Sequence, residues 1–250
     1  MKVEFISHSG VTVETEDNYL IFDYYRGKLP IKEKDTSVFI THFHQDHFNP
    51  EIYKMTENSP NVDYIISKDV EKKKKHKKAH VMGPNESIRV NDLKISAFDS
   101  TDEGLSFLVE VDGKNVFHSG DLNLWIWEED TEAEREEMTK KFNKIISEIK
   151  GNMVDLAFFL VDSRLEDMAL EGIKIFINEI QPKFLIPIHY WDDFNSMEKL
   201  VNKLEEEMPK MNTKILKPKK VNEIIEIWDL LIPIGGNSWK KNSKNHITKT

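Results

Sequence analysis

Apolar residues in this chain come in short runs whose period changes once along its length, and that change restricts the fold more than composition does. Runs with the alternating or continuous apolar character of strands stand at 3–6, 11–14, 19–22, 38–41, 62–66, 88–98, 105–111, 115–117, 156–161 and 184–188. The first of these are separated by turn-sized gaps such as SHSG and ETEDN, which predicts a meander of antiparallel strands. From residue 131 a helical period takes over. Residues 131–150 carry Glu and Lys at i, i+4 spacing and place Met138, Phe142, Ile145, Ile146 and Ile149 on one face. Stretches 166–180 and 194–208 read as two more amphipathic helices, so that VDLAFFLV, helix, KFLIPI, helix is a βαβ-type alternation. A meander followed by such an alternation predicts an α/β fold of two sheets packed face to face with helices outside.

Composition narrows the function. With 250 residues, 39% of them hydrophobic, the chain can bury one large core, and a single domain over 1–228 is expected, followed by a partly frayed extension over 229–250 in which Trp239 is the one anchor. There are no cysteines, so disulfides and thiolate metal sites are excluded and any metal must be held by nitrogen and oxygen. No apolar stretch approaches the ~18 residues that span a bilayer, and no secretory pattern opens the chain, so a cytoplasmic protein without a membrane partner is expected. The formal charge of −9 argues against nucleic acid as a general partner. The run EKKKKHKKAH reads as a solvated loop or helix end.

Three of the nine histidines fall within THFHQDHF. His42, His44 and His47 surround Asp46 directly after a buried-looking strand, where functional groups are commonly placed. His42 and His44 point to one side of an extended segment, and imidazole with carboxylate is a donor set for zinc, manganese or iron. Two further strand ends carry matching chemistry: Asp121 in NVFHSGDL and His189 in LIPIHYW.

With these motifs the chain resembles the metallo-β-lactamase-fold hydrolases, nearest the branch of ascorbate-6-phosphate lactonase-like and uncharacterised hydrolases. The match is His-x-His-x-Asp-His at His42, His44, Asp46 and His47, the Gly-Asp pair at Gly120 and Asp121, and the late His189. The resemblance implies a four-layer αββα sandwich of two mixed β-sheets. It also implies a first metal site at His42 and His44, a second at Asp46, His47 and His189, and Asp121 bridging them. The family usually supplies one more histidine to the first site, where this chain reads AFDSTDEGLSF. An oxygen ligand from Asp99, Ser100, Thr101 or Asp102 is the substitute, with Asp102 favoured. The cofactor expected is one or two divalent ions, zinc first, with manganese or iron if the first site is richer in oxygen.

Such a site makes Asp121 and Asp46 the catalytic carboxylates, the second as the base that orients water. The implied activity is metal-dependent hydrolysis of a small, anionic metabolite: a lactone, an ester or a phosphoester. Two alternatives stand beside it, a phosphodiesterase or nuclease and a non-catalytic binding protein on the same fold. Expected substrate contacts are His8, Asn123, Trp125, Arg164 and Trp191. For Trp125 and Trp127 the competing reading is packing of the 131–150 helix, and for Arg164 a salt bridge. That helix lies near the site as a cap or as a contact in a homo-oligomer.

Overall fold

The computed structural model describes residues 1–227, so the expected extension over 229–250 and Trp239 lie outside the described residues. Six strands build most of the first sheet: β1 (Lys2–Ser7), β2 (Gly10–Glu14), β3 (Asn18–Phe22), β4 (Asp35–Ile40), β5 (Asp63–Ser67) and β6 (Ala79–Met82). The second sheet holds β7 (Ser87–Val90), β8 (Leu93–Asp99), β9 (Leu105–Val111), β10 (Lys114–His118), β11 (Leu156–Leu160), β12 (Phe184–Ile188) and β13 (Lys214–Ile215). A last strand, β14 (Glu223–Glu226), returns to pair with β1. Five helices accompany them: α1 (Glu51–Met55), α2 (Lys68–Lys73), α3 (Glu132–Ile149), α4 (Glu171–Ile180) and α5 (Phe194–Glu207).

Both sheets are mixed, as the sandwich requires. The first runs β14-β1-β2-β3-β4-β5-β6, antiparallel up to β3 and parallel from β3 to β6. The antiparallel meander therefore ends at β3. Longer connections at 23–34 and 41–62 carry the chain back across the sheet, which parallel pairing requires. The second sheet, β13-β12-β11-β10-β9-β8-β7, mirrors this arrangement, antiparallel from β7 to β10 and parallel from β10 to β13.

The period-two alternation decides which layer each side chain joins. In β3, Leu20 and Phe22 face the core between the sheets, while Tyr19 and Ile21 face the layer that holds Ile52 of α1 and Val70 of α2. On the far side, Phe117 of β10 stacks on Phe176 of α4, with centroids 5.2 Å apart. The helix at 132–149 starts where a capping box forms, Thr131 accepting from the Glu134 backbone and the Glu134 carboxylate accepting from that of Thr131. Two sequence expectations are corrected. The run 88–98 is a hairpin, β7 and β8, reversing at Asn91 with its left-handed φ of 53°. The stretch 166–180 is broken: a 3-10 turn at Ser163–Met168, with Glu166 at φ 49°, precedes α4, because the Asp162 carboxylate captures the Arg164 backbone N–H.

Candidate metal centre

Every element that carries a site residue ends at the same edge of the sandwich. The carboxyl ends of β1, β3, β4, β8, β10, β11 and β12 lead into His8, Asp23, His42, the 99–103 loop, Asp121, Asp162 and His189 respectively. Two glycines let these loops close on one another. A Cβ on Gly104, whose φ is +78°, would lie 2.2 Å from the Thr41 carbonyl oxygen and 2.4 Å from the His42 Cβ. One on Gly120, φ +52°, would lie 2.7 Å from the Leu105 carbonyl oxygen and 2.9 Å from the Thr41 Cβ.

Hydrogen bonds at Nδ1 fix the tautomers of three histidines. Asp23, fully buried, accepts from the Thr41 backbone N–H (2.9 Å), from Thr41 Oγ1 (2.7 Å) and from His47 Nδ1 (2.8 Å). Since the Thr41 hydroxyl proton goes to Asp23, its oxygen accepts from His42 Nδ1 at 3.0 Å. His189 Nδ1 donates to Asp162 Oδ2 at 3.0 Å, and Asp162 is itself gripped by the Arg164 guanidinium through Nε. Each ring therefore carries its proton on Nδ1 and leaves the Nε2 lone pair free, the tautomer a metal requires.

Those lone pairs converge on Asp121. His47 Nε2 is 3.0 Å from Oδ1, His189 Nε2 3.4 Å from Oδ1 and His42 Nε2 3.4 Å from Oδ2. Although close, His42 Nε2, His47 Nε2 and Asp121 Oδ1 are buried without a hydrogen bond. Buried polar atoms normally have a partner, so this orphaned set fits a bound cation. Burial resists ionisation of both groups, yet Asp121 and Asp23 drive the His47 imidazole well above its ordinary pKa. Burial likewise opposes the Asp121 carboxylate, but the charges of His47 and His189 hold it well below its ordinary range. Acid and a divalent ion thus compete for the same lone pairs.

Donor atoms within 4.8 Å of one another form three groups among the described residues: His44 with Asp102 and Asp121, His42 with His47 and Asp121, and Asp46 with His47, His189 and His8. Asp102 thus stands beside His44 where the resemblance lacks a histidine. Asp99 instead caps the Ser100 backbone N–H, and Thr101 Oγ1 donates to the Asn123 carbonyl. Glu103, not singled out from sequence, comes within 3.5 Å of His44 Nε2.

A cavity of about 660 Å³ opens from Asp121, Asp46 and His44. Trp125, stacked on Trp127 at 6.0 Å, lines it and also belongs to a small apolar cluster with Leu160 and Leu165, against which Met138 of α3 packs. Arg164 lines it too, but as the salt bridge to Asp162. Asn123 is displaced from the role expected of it: its side chain is buried, so close to α4 that a Cβ on Gly172 would fall 2.1 Å from its Oδ1. Trp191 is 46% exposed and covers His8, ring centroids 4.1 Å apart, outside the cavity. His8 is fully buried against His189 and Trp191.

Asp23, Asp162 and Asp192 escaped the sequence reading. The first two are acids at the ends of buried strands in LIFDYY and FLVDSR, the same signal that marks Asp121. Asp192 gave no such signal; its carboxylate accepts from Ser7 Oγ (2.6 Å), the His8 backbone N–H (2.9 Å) and Arg26 (2.6 Å).

A family model described as a beta-lactamase superfamily domain matches residues 2–137. A UPF0173 metal-dependent hydrolase of Natranaerobius thermophilus is 25% identical over 207 residues, covering 76% of this chain and 83% of that protein. The UPF0173 metal-dependent hydrolase YtkL of Bacillus subtilis is 25% identical over 231 residues, covering 76% and 86%. Among solved structures, Igni18, a metallo hydrolase of Ignicoccus hospitalis, superposes with a TM-score of 0.63 at 17% identity, over 91% of this chain and 99% of that one, a likeness of fold.

Proposed function

We propose that this chain, which belongs to the beta-lactamase superfamily and is a metal-dependent hydrolase in class, cleaves an ester, lactone or phosphoester bond of a small molecule at a two-ion centre. The observation that carries the reading is the convergence on Asp121 of three imidazole Nε2 atoms whose Nδ1 protons are already committed. In this reading His42, His44 and Asp102 would hold one ion and Asp46, His47 and His189 the other, with Asp121 between the two sets.

Divalent ions bound there would lower the pKa of water and polarise the scissile oxygen. The residues do the rest. Asp23 and Asp162 keep His47 and His189 in the ligating tautomer. Asp46, partly exposed at the cavity floor, is the carboxylate placed to orient water and take its proton. Burial works against its ionisation, but His8 and the charge of His47 hold its carboxyl well below the usual range, so it stands as a carboxylate able to orient water. Trp125 and Trp127 give the substrate an apolar platform.

The wall favours an uncharged or apolar body over an anionic one. Its two cations are engaged, Lys141 with the Thr101 carbonyl at 2.9 Å and Arg164 with Asp162, while Asp130, Glu134 and Glu137 stand on the same wall. Elemental mass spectrometry after reconstitution with zinc, manganese and iron in turn should give two ions per chain, and His44→Ala should hold fewer. Hydrolysis of p-nitrophenyl acetate and bis(p-nitrophenyl) phosphate should vanish in His44→Ala and Asp121→Ala while both variants stay folded. Unchanged turnover in either variant refutes the site assignment.

A further inference from the structure

We infer that His8 is not a ligand of the second ion but a neutral hydrogen-bond donor that positions Asp46; this rests on the metal-centre reading above. Its Nε2 lies in the same cluster as Asp46, His47 and His189, so proximity alone would make it a fourth donor to that ion. The opposite nitrogen decides otherwise. His8 Nδ1 accepts the Trp191 backbone N–H at 3.1 Å. A backbone N–H can only donate, so Nδ1 carries the lone pair and the single proton of neutral imidazole sits on Nε2. His42, His47 and His189 have the reverse arrangement. One histidine of the four therefore presents N–H where the others present a lone pair.

The backbone makes this tautomer hard to escape. His8, His189, Trp191 and Asp192 all have left-handed φ, at 55°, 69°, 53° and 60°. They hold one another: the His189 N–H donates to the His8 carbonyl at 3.0 Å, the Trp191 N–H to His8 Nδ1, and the His8 N–H to the Asp192 carboxylate at 2.9 Å. Four residues in so sparsely populated a conformation persist only where the surroundings over-determine them. The product of this bracing is the direction of one ring.

That ring aims Nε2 at Asp46. Around it stand His189 and Trp191, both with centroids at 4.1 Å, and His47 and Tyr25 at 5.9 and 6.0 Å. Among the described residues the carboxylate nearest Nε2 is Asp46, Oδ2 at 3.3 Å, and Nε2 is otherwise buried without a partner. The contact is not yet aligned as a hydrogen bond, though Asp46 Oδ2 lies within reach of it. Contacts of this kind tighten when a site is loaded. By fixing Oδ2, His8 directs the other oxygen of Asp46 toward the reacting water.

The test uses histidine-labelled, zinc-loaded protein and two-bond proton–nitrogen NMR correlations, which report which ring nitrogen bears the proton. His8 should show a protonated Nε2 and a bare Nδ1, opposite to His47 and His189. A protonated Nδ1 with zinc-shifted Nε2 overturns the inference. Two substitutions separate positioning from architecture. In His8→Asn the amide oxygen takes the place of Nδ1 and keeps the Trp191 contact, but no donor reaches Asp46. In His8→Gln the amide nitrogen reaches the place of Nε2. The Asn variant should keep its zinc and its KM and lose about 10- to 100-fold in kcat, as loss of a supporting hydrogen bond does. The Gln variant should restore most of that loss. Equal losses in both, or a missing zinc in either, overturn the proposal. If no substrate is turned over at all, the hydrolase reading fails, while the tautomer still decides the role of His8.

Discussion

Asp23 supports the centre without touching it, and Asp23→Asn isolates what that support does. The carboxylate accepts three hydrogen bonds while fully buried: Oδ1 from the Thr41 backbone N–H, Oδ2 from both the Thr41 hydroxyl and His47 Nδ1. Asparagine has the same shape and keeps one oxygen, which continues to serve the backbone N–H. Its NH2 replaces Oδ2. The Thr41 hydroxyl can rotate to accept from it, but His47 Nδ1–H then faces a donor. Left so, the clash strands a buried donor and costs about 1–3 kcal/mol of stability. Relieved by moving the imidazole proton to Nε2, it removes the lone pair facing Asp121. Either way zinc affinity at the second site should fall by about 10- to 100-fold, the usual cost of losing such a partner. The assay is competitive zinc titration against a chromophoric chelator, with urea unfolding of the metal-free protein in parallel. Zinc affinity equal to wild type, with stability unchanged, refutes the claim that Asp23 sets the His47 tautomer.

Gly104→Ala should destabilise by more than about 2 kcal/mol, the cost of a forced backbone shift, since its Cβ would enter the Thr41 carbonyl; Gly113→Ala, φ +68° with nothing within 4 Å, should cost only about 1 kcal/mol. Urea unfolding of the pair checks this, and equal losses would contradict the close approach of the two loops. Arg164→Ala should leave the zinc count of the first site intact and weaken retention at the second, because Asp162 loses the guanidinium that holds it under His189. Stepwise chelation followed by elemental analysis reads it out, and identical release curves would show that Asp162 needs no such support.

Much of the site was legible because its signals are local. His42, His44, Asp46 and His47 sit in one loop, and Asp121 and His189 each follow a buried strand, so residue type and a strand end together marked them. The same rule, applied to acids, marks Asp23 and Asp162 as well. An isolated aspartate after a strand, however, has no spacing partner to make it stand out. Pairing direction was less legible. The change from antiparallel to parallel at β3 depends on where the 23–34 connection crosses, and that segment carries no helical period to announce a crossover. The strands β6 and β14 are only partly buried edge strands, and such strands carry a weak apolar pattern.

By itself the sequence determined which residue types reach the strand ends, that any metal ligands must be nitrogen and oxygen, and that the core is a double sheet. These follow from periodicity and from the absence of cysteine. Only the tertiary structure decided what each group is for. Whether an imidazole offers a lone pair or a proton depends on what its other nitrogen touches, and those partners lie far along the chain: Asp23 for His47, Asp162 for His189, the Trp191 backbone for His8. Asn123 departs from its expected place for the same reason, turned against Gly172, while Arg164 lines the cavity and pairs with Asp162, the salt bridge that was one of its two readings. A hydrogen bond is a property of two groups in space, and the chain fixes the second only by folding.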